Sequence, residues 1–383
     1  MSLNEQVFFD VDLSNYEFIR KEIVELASSL IRFKTTASNE QELKNIIDFV
    51  ENYLKANKLI SINKFKVNDK YNLIAKLSEE IKVYFVVHLD VVDALDSQFN
   101  PYIEDNKLVG RGALDMKGPA STVLYLFKNL KQNIPIGLIA TTDEEIGSLS
   151  GVKYILENMD IKADVAVIPD GGEDFNIITK GKGAFHFRVK SYGKSAHGST
   201  TWLGINAVDK LLKFYNELKE IILENNENDI NQVDKDLHWH NTVNLGKIEG
   251  GVKVNVVPDY AYADIDIRFT EKYTLDNIYN LVDYLAKKHS LELEVLSTGQ
   301  PVSIDLNNKY LQKFIESYKV VLGEPKFSVE HGATDGRFFA AKNIPVITIY
   351  PKGQGLHSDY EWVDVDSLVI LFKLFYNFIL KIS

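Results

Sequence analysis

The sequence predicts an α/β protein with a mostly parallel central sheet flanked by helices, interrupted by an inserted α+β segment of ferredoxin-like order. Three observations predict it. Short, almost continuously apolar runs such as "KVYFVVHL" (82–89) and "IPIGLIATT" (134–142) alternate with amphipathic stretches at helical spacing, the mark of βαβ units whose strands are covered on both faces. Between residues 181 and 296 the order changes to strand, helix, two strands, helix, strand, which is the split-βαβ arrangement. At 383 residues the chain is also too long for one typical core.

In order along the chain, residues 16–58 hold two amphipathic helices, "YEFIRKEIVELASSLIRF" and "NEQELKNIIDFVENYLKAN". The strands "YNLIAKL", "KVYFVVHL", "IPIGLIATT" and "ADVAVIP" follow, with helices in "PASTVLYLFKNLKQN" and "SGVKYILENM". The inserted segment runs through "GKGAFHFRVKSYG", the helix "NAVDKLLKFYNELKEIILEN", the strands "TVNLGKIEG" and "AYADIDIRFT", the helix "TLDNIYNLVDYLAKKHS" and the strand "LELEVLST". The first pattern then resumes with "NNKYLQKFIESYKVVLG", "IPVITIY" and a terminal helix. One catalytic domain of residues 1–180 and 297–383, carrying an insert of residues 181–296, is the economical division. The polar, aperiodic stretch 224–236 reads as a loop.

Composition narrows the function classes. A formal charge of −11 argues against a nucleic-acid footprint or a polybasic membrane surface. There is no cysteine, so any metal must be held by nitrogen and oxygen. The N-terminus lacks a basic region followed by a long apolar core, and "SLVILFKLFYNFILKIS" is too short to span a bilayer. A cytoplasmic enzyme is expected.

The polar residues that interrupt the apolar strands carry the chemistry. His88 and Asp90 share a strand face. Asp90 can accept the second ring N–H of His88 and fix the tautomer whose other nitrogen binds a metal; alternatively the two form a buried pair that satisfies only itself. Asp115 in "GRGALDMKG" stands before a helix start, where an aspartate alone reads as a cap. Glu144 and Glu145 close "LIATTDEE"; one can ligate a metal while its neighbour faces a reacting water, or both can belong to a solvated acidic turn. Packed together without a cation they would repel. Asp170 ends "VAVIPD", and His357 lies in the glycine-rich loop of "YPKGQGLHSDYEWV". Most of these residues fall just beyond the C-terminal ends of strands, where open α/β sheets place their ligand sites. Two histidines and three carboxylates, with an acid to spare, suffice for two metals sharing one carboxylate.

With "VVHLDVV", "GRGALDMKG", "TDEEIGS", "IPDGGE" and "LHSDYEWV" in this order, the chain resembles the di-zinc amidohydrolase and metallopeptidase family of acetylornithine deacetylase, succinyl-diaminopimelate desuccinylase, aminoacylases, glutamate carboxypeptidases and several dipeptidases. The resemblance covers nearly the whole chain, including "GKSAHGS" and "NLGKIEGGVKVNVVPDYAYADIDIR" in the insert. It implies two divalent ions, zinc first and cobalt or manganese as substitutes, with Asp115 bridging them. His88 and Asp170 would complete one metal, and Glu145 and His357 the other. Asp90 would orient His88, and Glu144 would be the general base. The peptide after the bridging aspartate is often cis in the family, which places a cis bond at Asp115–Met116. His197 is similar to the family histidine that stabilises the oxyanion across a dimer, Arg268 and Asn244 to its substrate-contacting arginine and asparagine, and Thr334 in "GATDGRFF" to its pocket loop.

The resemblance implies a homodimeric amidohydrolase that cleaves an N-acyl amino acid or a similar small amide bearing a carboxylate. A dipeptidase or aminopeptidase is the alternative, and a non-catalytic metal-binding scaffold on the same fold a more distant one. Asp170 stands where most deacylases of the family carry glutamate and pulls toward peptidases, whereas "GATDGRFF" pulls toward desuccinylation. Retention of Glu144 with every metal ligand distinguishes an enzyme from a scaffold.

Overall fold

Burial on both faces sets the central sheet. In the computed structural model, Val83–His88, Ile136–Thr141 and Val165–Ile168 are buried at every position, as strands sandwiched between helices must be. The structure describes residues 9, 12, 14–224 and 238–383, so the loop expected at 224–236 lies, apart from Glu224, outside the described residues. Val83–His88 pairs in parallel with Ile136–Thr141 on one side and Val165–Ile168 on the other, and Val346–Thr348 extends the parallel set beyond Val165–Ile168. The margins are antiparallel: Lys70–Lys76 pairs with Ile136–Thr141, Ser61–Val67 with Lys70–Lys76, and Ile177–Gly181 with Val346–Thr348. This is the mixed α/β architecture that the hydropathy pattern predicts, with a parallel core.

The chain divides into two compact units, Met1–Thr179 with Ile304–Ser328 and Thr334–Ser383, and Lys180–Ser303 with Val329–Ala333. In the first unit, helix Glu40–Leu54 buries Leu43, Ile46, Ile47, Val50 and Leu54, a single stripe at helical spacing, and Asn39 caps its start by accepting from the Glu42 N–H. The terminal helix Val365–Ile382 is buried along most of its length. Asp364 caps it through the Ser367 N–H at 2.8 Å, and Phe375 meets Phe85 of the central strand edge-on at 5.2 Å. That helix is a core element, and no helix among the described residues is long and apolar enough to cross a membrane.

A small antiparallel sheet positions two loops of the site. Lys107–Val109 pairs with Tyr102–Glu104 and with Trp362–Asp364, which pairs in turn with Gly353–Gln354. Residues 110–116 leave this sheet from one strand, and residues 355–361 connect two others. The Asp115–Met116 peptide is cis, as the resemblance implies. Gly118 opens the following helix where a Cβ would lie 2.0 Å from the Ala113 carbonyl oxygen, so no other residue fits this turn.

In the second unit the strands lie in the order Thr242–Gly250, Tyr260–Phe269, Gly183–Tyr192, Leu291–Gly299, all antiparallel. With helices Ala207–Glu224 and Leu275–Lys288 this is β-α-β-β-α-β, the ferredoxin-like order that the sequence predicts. Alternate residues of the two central strands, including Phe185, Phe187, Ile265 and Ile267, form a core with Phe214, Leu218 and Val282 of the helices. The opposite face carries charge: Arg188 donates to both carboxylate oxygens of Asp264 at 2.6 and 2.8 Å.

Candidate metal centre

Each candidate ligand in the first unit sits where a buried strand or a tight loop ends. His88 is the last residue of Val83–His88. Glu144 and Glu145 open a short turn shortly after Ile136–Thr141, and Asp170 follows Val165–Ile168. Asp115 lies on the loop that leaves Lys107–Val109, and His357 adopts a left-handed φ of 59° between Gly353–Gln354 and Trp362–Asp364.

These residues converge. His88 Nε2 lies 3.1 Å from Asp115 Oδ1 and 3.9 Å from Asp170 Oδ2. His357 Nε2 lies 3.0 Å from Asp115 Oδ2 and 3.3 Å from Glu145 Oε2. Two donor sets result, His88–Asp115–Asp170 and Asp115–Glu145–His357, with the ligand atoms of each within 4.8 Å of one another. They share Asp115, and each of its oxygens faces a different imidazole. That is the placement a bridging carboxylate needs.

Asp90 has a different geometry from the one expected. Its carboxylate accepts the backbone N–H groups of Glu144 and Glu145 at 3.2 and 3.0 Å. His88 Nδ1 lies 3.1 Å from the Asp90 main-chain carbonyl and 3.6 Å from its carboxylate, so the carbonyl is the nearer acceptor for the ring N–H. Asp90 therefore ties the strand bearing His88 to the turn bearing the two glutamates.

The electrostatics call for cations. Burial raises the Asp170 carboxyl to a pKa of about 8, with the charge of Asp115 adding to it, and burial followed by the charge of Asp335 lifts Glu144 well above the usual carboxylate range. Hydrogen bonds to Asp115 and Glu145 raise the His357 imidazole to about 10. Asp115 would be raised by its burial, yet its contacts with His357 and His88 outweigh this and hold it low. Acids crowded into low dielectric repel unless positive charge joins them. The donors are nitrogen and oxygen alone, which suits zinc, cobalt or manganese. The residues present fit two divalent ions.

Residues 84–381 match the model of peptidase family M20/M25/M40. The chain belongs to this family. It is 27% identical to a "probable succinyl-diaminopimelate desuccinylase" of Staphylococcus aureus over 94% of this chain and 97% of that relative. Among solved structures it is similar to the aminopeptidase PepT of Bacillus cereus, with a TM-score of 0.73 at 18% identity over 95% of this chain and 98% of that one. A similar fold is that of the metallo-carboxypeptidase Sso-CP2 of Sulfolobus solfataricus, with a TM-score of 0.74 at 19% identity over 94% and 98% of the two chains. With the paired donor sets, family membership makes this protein a two-metal hydrolase of amide or peptide bonds in small acyl or peptide substrates.

Four further candidates, Thr334, His197, Asn244 and Arg268, belong to neither donor set. Thr334 stands at the entry to helix Gly336–Ala341, its hydroxyl accepting the Gly336 N–H at 3.3 Å. His197, Asn244 and Arg268 belong to the second unit. The His197 ring meets the Ser199 hydroxyl at 2.8 Å. Asn244 lies on the edge strand opposite Asp266. Arg268 donates to Asp266 at 2.9 Å and contacts His186 at 3.2 Å, so its guanidinium is already partly neutralised.

Sequence reasoning missed several residues. Glu361, Arg111, Asp335 and the Tyr350 hydroxyl are buried beside the ligands or their loops, and His186 joins the Arg268–Asp266 group. The available signal was composition: each is a polar or charged group inside an otherwise apolar or glycine-rich motif, where burial demands a partner.

Proposed function

We propose that this protein is a deacylase that removes the acyl group from an N-acyl amino acid or a similar small carboxylate-bearing amide, with zinc as the first-choice metal. The observation that carries a hydrolytic reading is the leftover acid. Glu145 falls in a donor set and Glu144 falls in neither, although the backbones of both are fixed on Asp90.

Two bound divalent ions would polarise the amide carbonyl and acidify a water. His88, Asp115, Asp170, Glu145 and His357 would hold them. Glu144, buried and free of ligation, takes a proton from the attacking water and returns it to the departing amine nitrogen. Its neighbours fix its position, because Asp90 grips the peptide groups on both sides of its α-carbon. For the second unit we propose His197 as an oxyanion donor supplied by the partner in a homodimer, Arg268 and Asn244 as contacts to the substrate carboxylate, and Thr334 as a pocket residue of the first unit.

The desuccinylase-like relative and "GATDGRFF" support deacylation. Asp170 favours a second reading, a dipeptidase or aminopeptidase. A hydrolysis screen on metal-loaded protein decides between them. N-acyl amino acids cleaved well ahead of free-amine dipeptides support the first reading, and the reverse order replaces it with the second.

A further inference from the structure

We infer that the buried Arg111–Glu361 ion pair is a positioning device for one of the two metal sites, the set Asp115–Glu145–His357, and governs its affinity separately from that of the other. The inference rests on the two-metal reading above and deepens it.

Charged side chains are rarely interred without a task. Glu361 is 1% exposed and Arg111 2%. Every oxygen of Glu361 is occupied. Oε1 accepts the backbone N–H groups of Leu114 and Asp115, both at 2.9 Å. Oε2 accepts the Gly112 N–H at 3.0 Å and Arg111 Nη1 at 2.7 Å, while the main-chain carbonyl takes the Gly110 N–H at 3.0 Å. One side chain thereby fixes the loop up to and including the bridging residue.

The other end of the pair reaches the second ligand. Arg111 Nη2 donates to the Ser358 carbonyl at 3.0 Å, and Gln98 Nε2 donates to the same oxygen at 3.0 Å. Ser358 directly follows His357, whose side chain is 53% exposed and whose backbone is left-handed. An exposed imidazole on a turn is not oriented by packing, so its loop must be held from below. The planar fork of arginine does this, joining the Glu361 carboxylate and the Ser358 carbonyl simultaneously, which a lysine ammonium cannot reproduce. His88 and Asp170 approach the clamp only through Asp115.

Outer partners of this kind change metal affinity by roughly 10- to 100-fold. The test is titration of the apo protein with Zn2+ against a chromogenic chelator, in wild type, Arg111→Lys and Glu361→Gln. Wild type should bind two equivalents. Arg111→Lys should keep one at wild-type affinity and weaken the other about tenfold or more. Glu361→Gln, which turns an amide NH2 toward backbone N–H donors and so also loosens the shared Asp115, should weaken both equivalents, the same one more strongly. Equal weakening of both equivalents, or of neither, overturns the inference. If either variant fails to fold, Gln98→Ala, which removes the second donor to the Ser358 carbonyl together with the acceptor of the Leu95 N–H, should loosen the same equivalent about threefold; unchanged binding there also overturns it. A wild type that binds no zinc would instead defeat the two-metal reading, so the two failures are distinct.

Discussion

At the scale of the residue, three buried carboxylates act by accepting backbone N–H groups. Asp90 holds Glu144 and Glu145, Glu361 holds Leu114 and Asp115, and Asp143 accepts the N–H groups of Ser150 and Gly151 at 2.7 and 3.0 Å. Ligand-bearing loops carry unpaired peptide groups, and a buried acid both satisfies them and fixes the next side chain. Glu144 tests how far roles separate in such a place. Glu144→Gln keeps the shape but cannot accept the proton, so turnover should fall by at least about a hundredfold. Bound metal, measured by elemental analysis, should stay at the wild-type level, since Glu144 lies in neither donor set. Activity equal to wild type would remove the base assignment. Asp90→Asn should behave differently, lowering metal content and turnover together, because it releases the turn that carries Glu145. Of the candidate ligands, His88, Glu145 and Asp170 were legible as polar residues at or just beyond apolar runs, whereas Asp115 and His357 lie in glycine-containing loops and were singled out by the resemblance. Their partners were legible in neither way. Arg111 and Glu361 stand 250 positions apart, and no local periodicity reports a contact of that range.

At the scale of the element, legibility followed burial. The strands covered on both faces are visible as apolar runs. Ser61–Val67 escaped notice because it has no fully buried position and thus no hydrophobic signature, and the strands of the small sheet are two or three residues long, too short to alternate. Sequence therefore showed where the His88 strand lies but not that a small sheet brings the Asp115 and His357 loops together. In the second unit, the charged sheet face makes a separate claim. The contact with Arg188 holds the Asp264 carboxyl below its ordinary value of 3.8, so folding favours its ionised form. That contribution is complete above the unfolded pKa and disappears as pH falls through the lower, folded one. Asp264→Asn should cost about 1 kcal/mol in urea unfolding at pH 7. The gap from wild type should stay constant down to about pH 5 and then narrow progressively as pH falls through 3.8 and below. A gap that widens on acidification would contradict the assignment.

At the scale of the whole molecule, the five candidate ligands span positions 88 to 357, so bound ions would join segments that are remote along the unfolded chain. Binding that the unfolded chain cannot match stabilises the fold by mass action, about 2.7 kcal/mol for one site at a hundredfold excess of free metal over Kd. Removal also leaves several buried acids facing one another without compensation, and burial already raises Asp170 and Glu144. Chelation should therefore lower the thermal midpoint by about 5–10 °C for a domain of this size, and restoring Zn2+ should recover it. Glu144→Gln should show nearly the same metal-dependent shift, because it leaves both donor sets intact. His357→Ala should show a clearly smaller one, because it removes a ligand from one set while Asp115 continues to serve the other. A chelator that leaves the midpoint of the wild type unmoved would mean that these side chains meet without holding an ion, and the hydrolytic chemistry would lose its foundation.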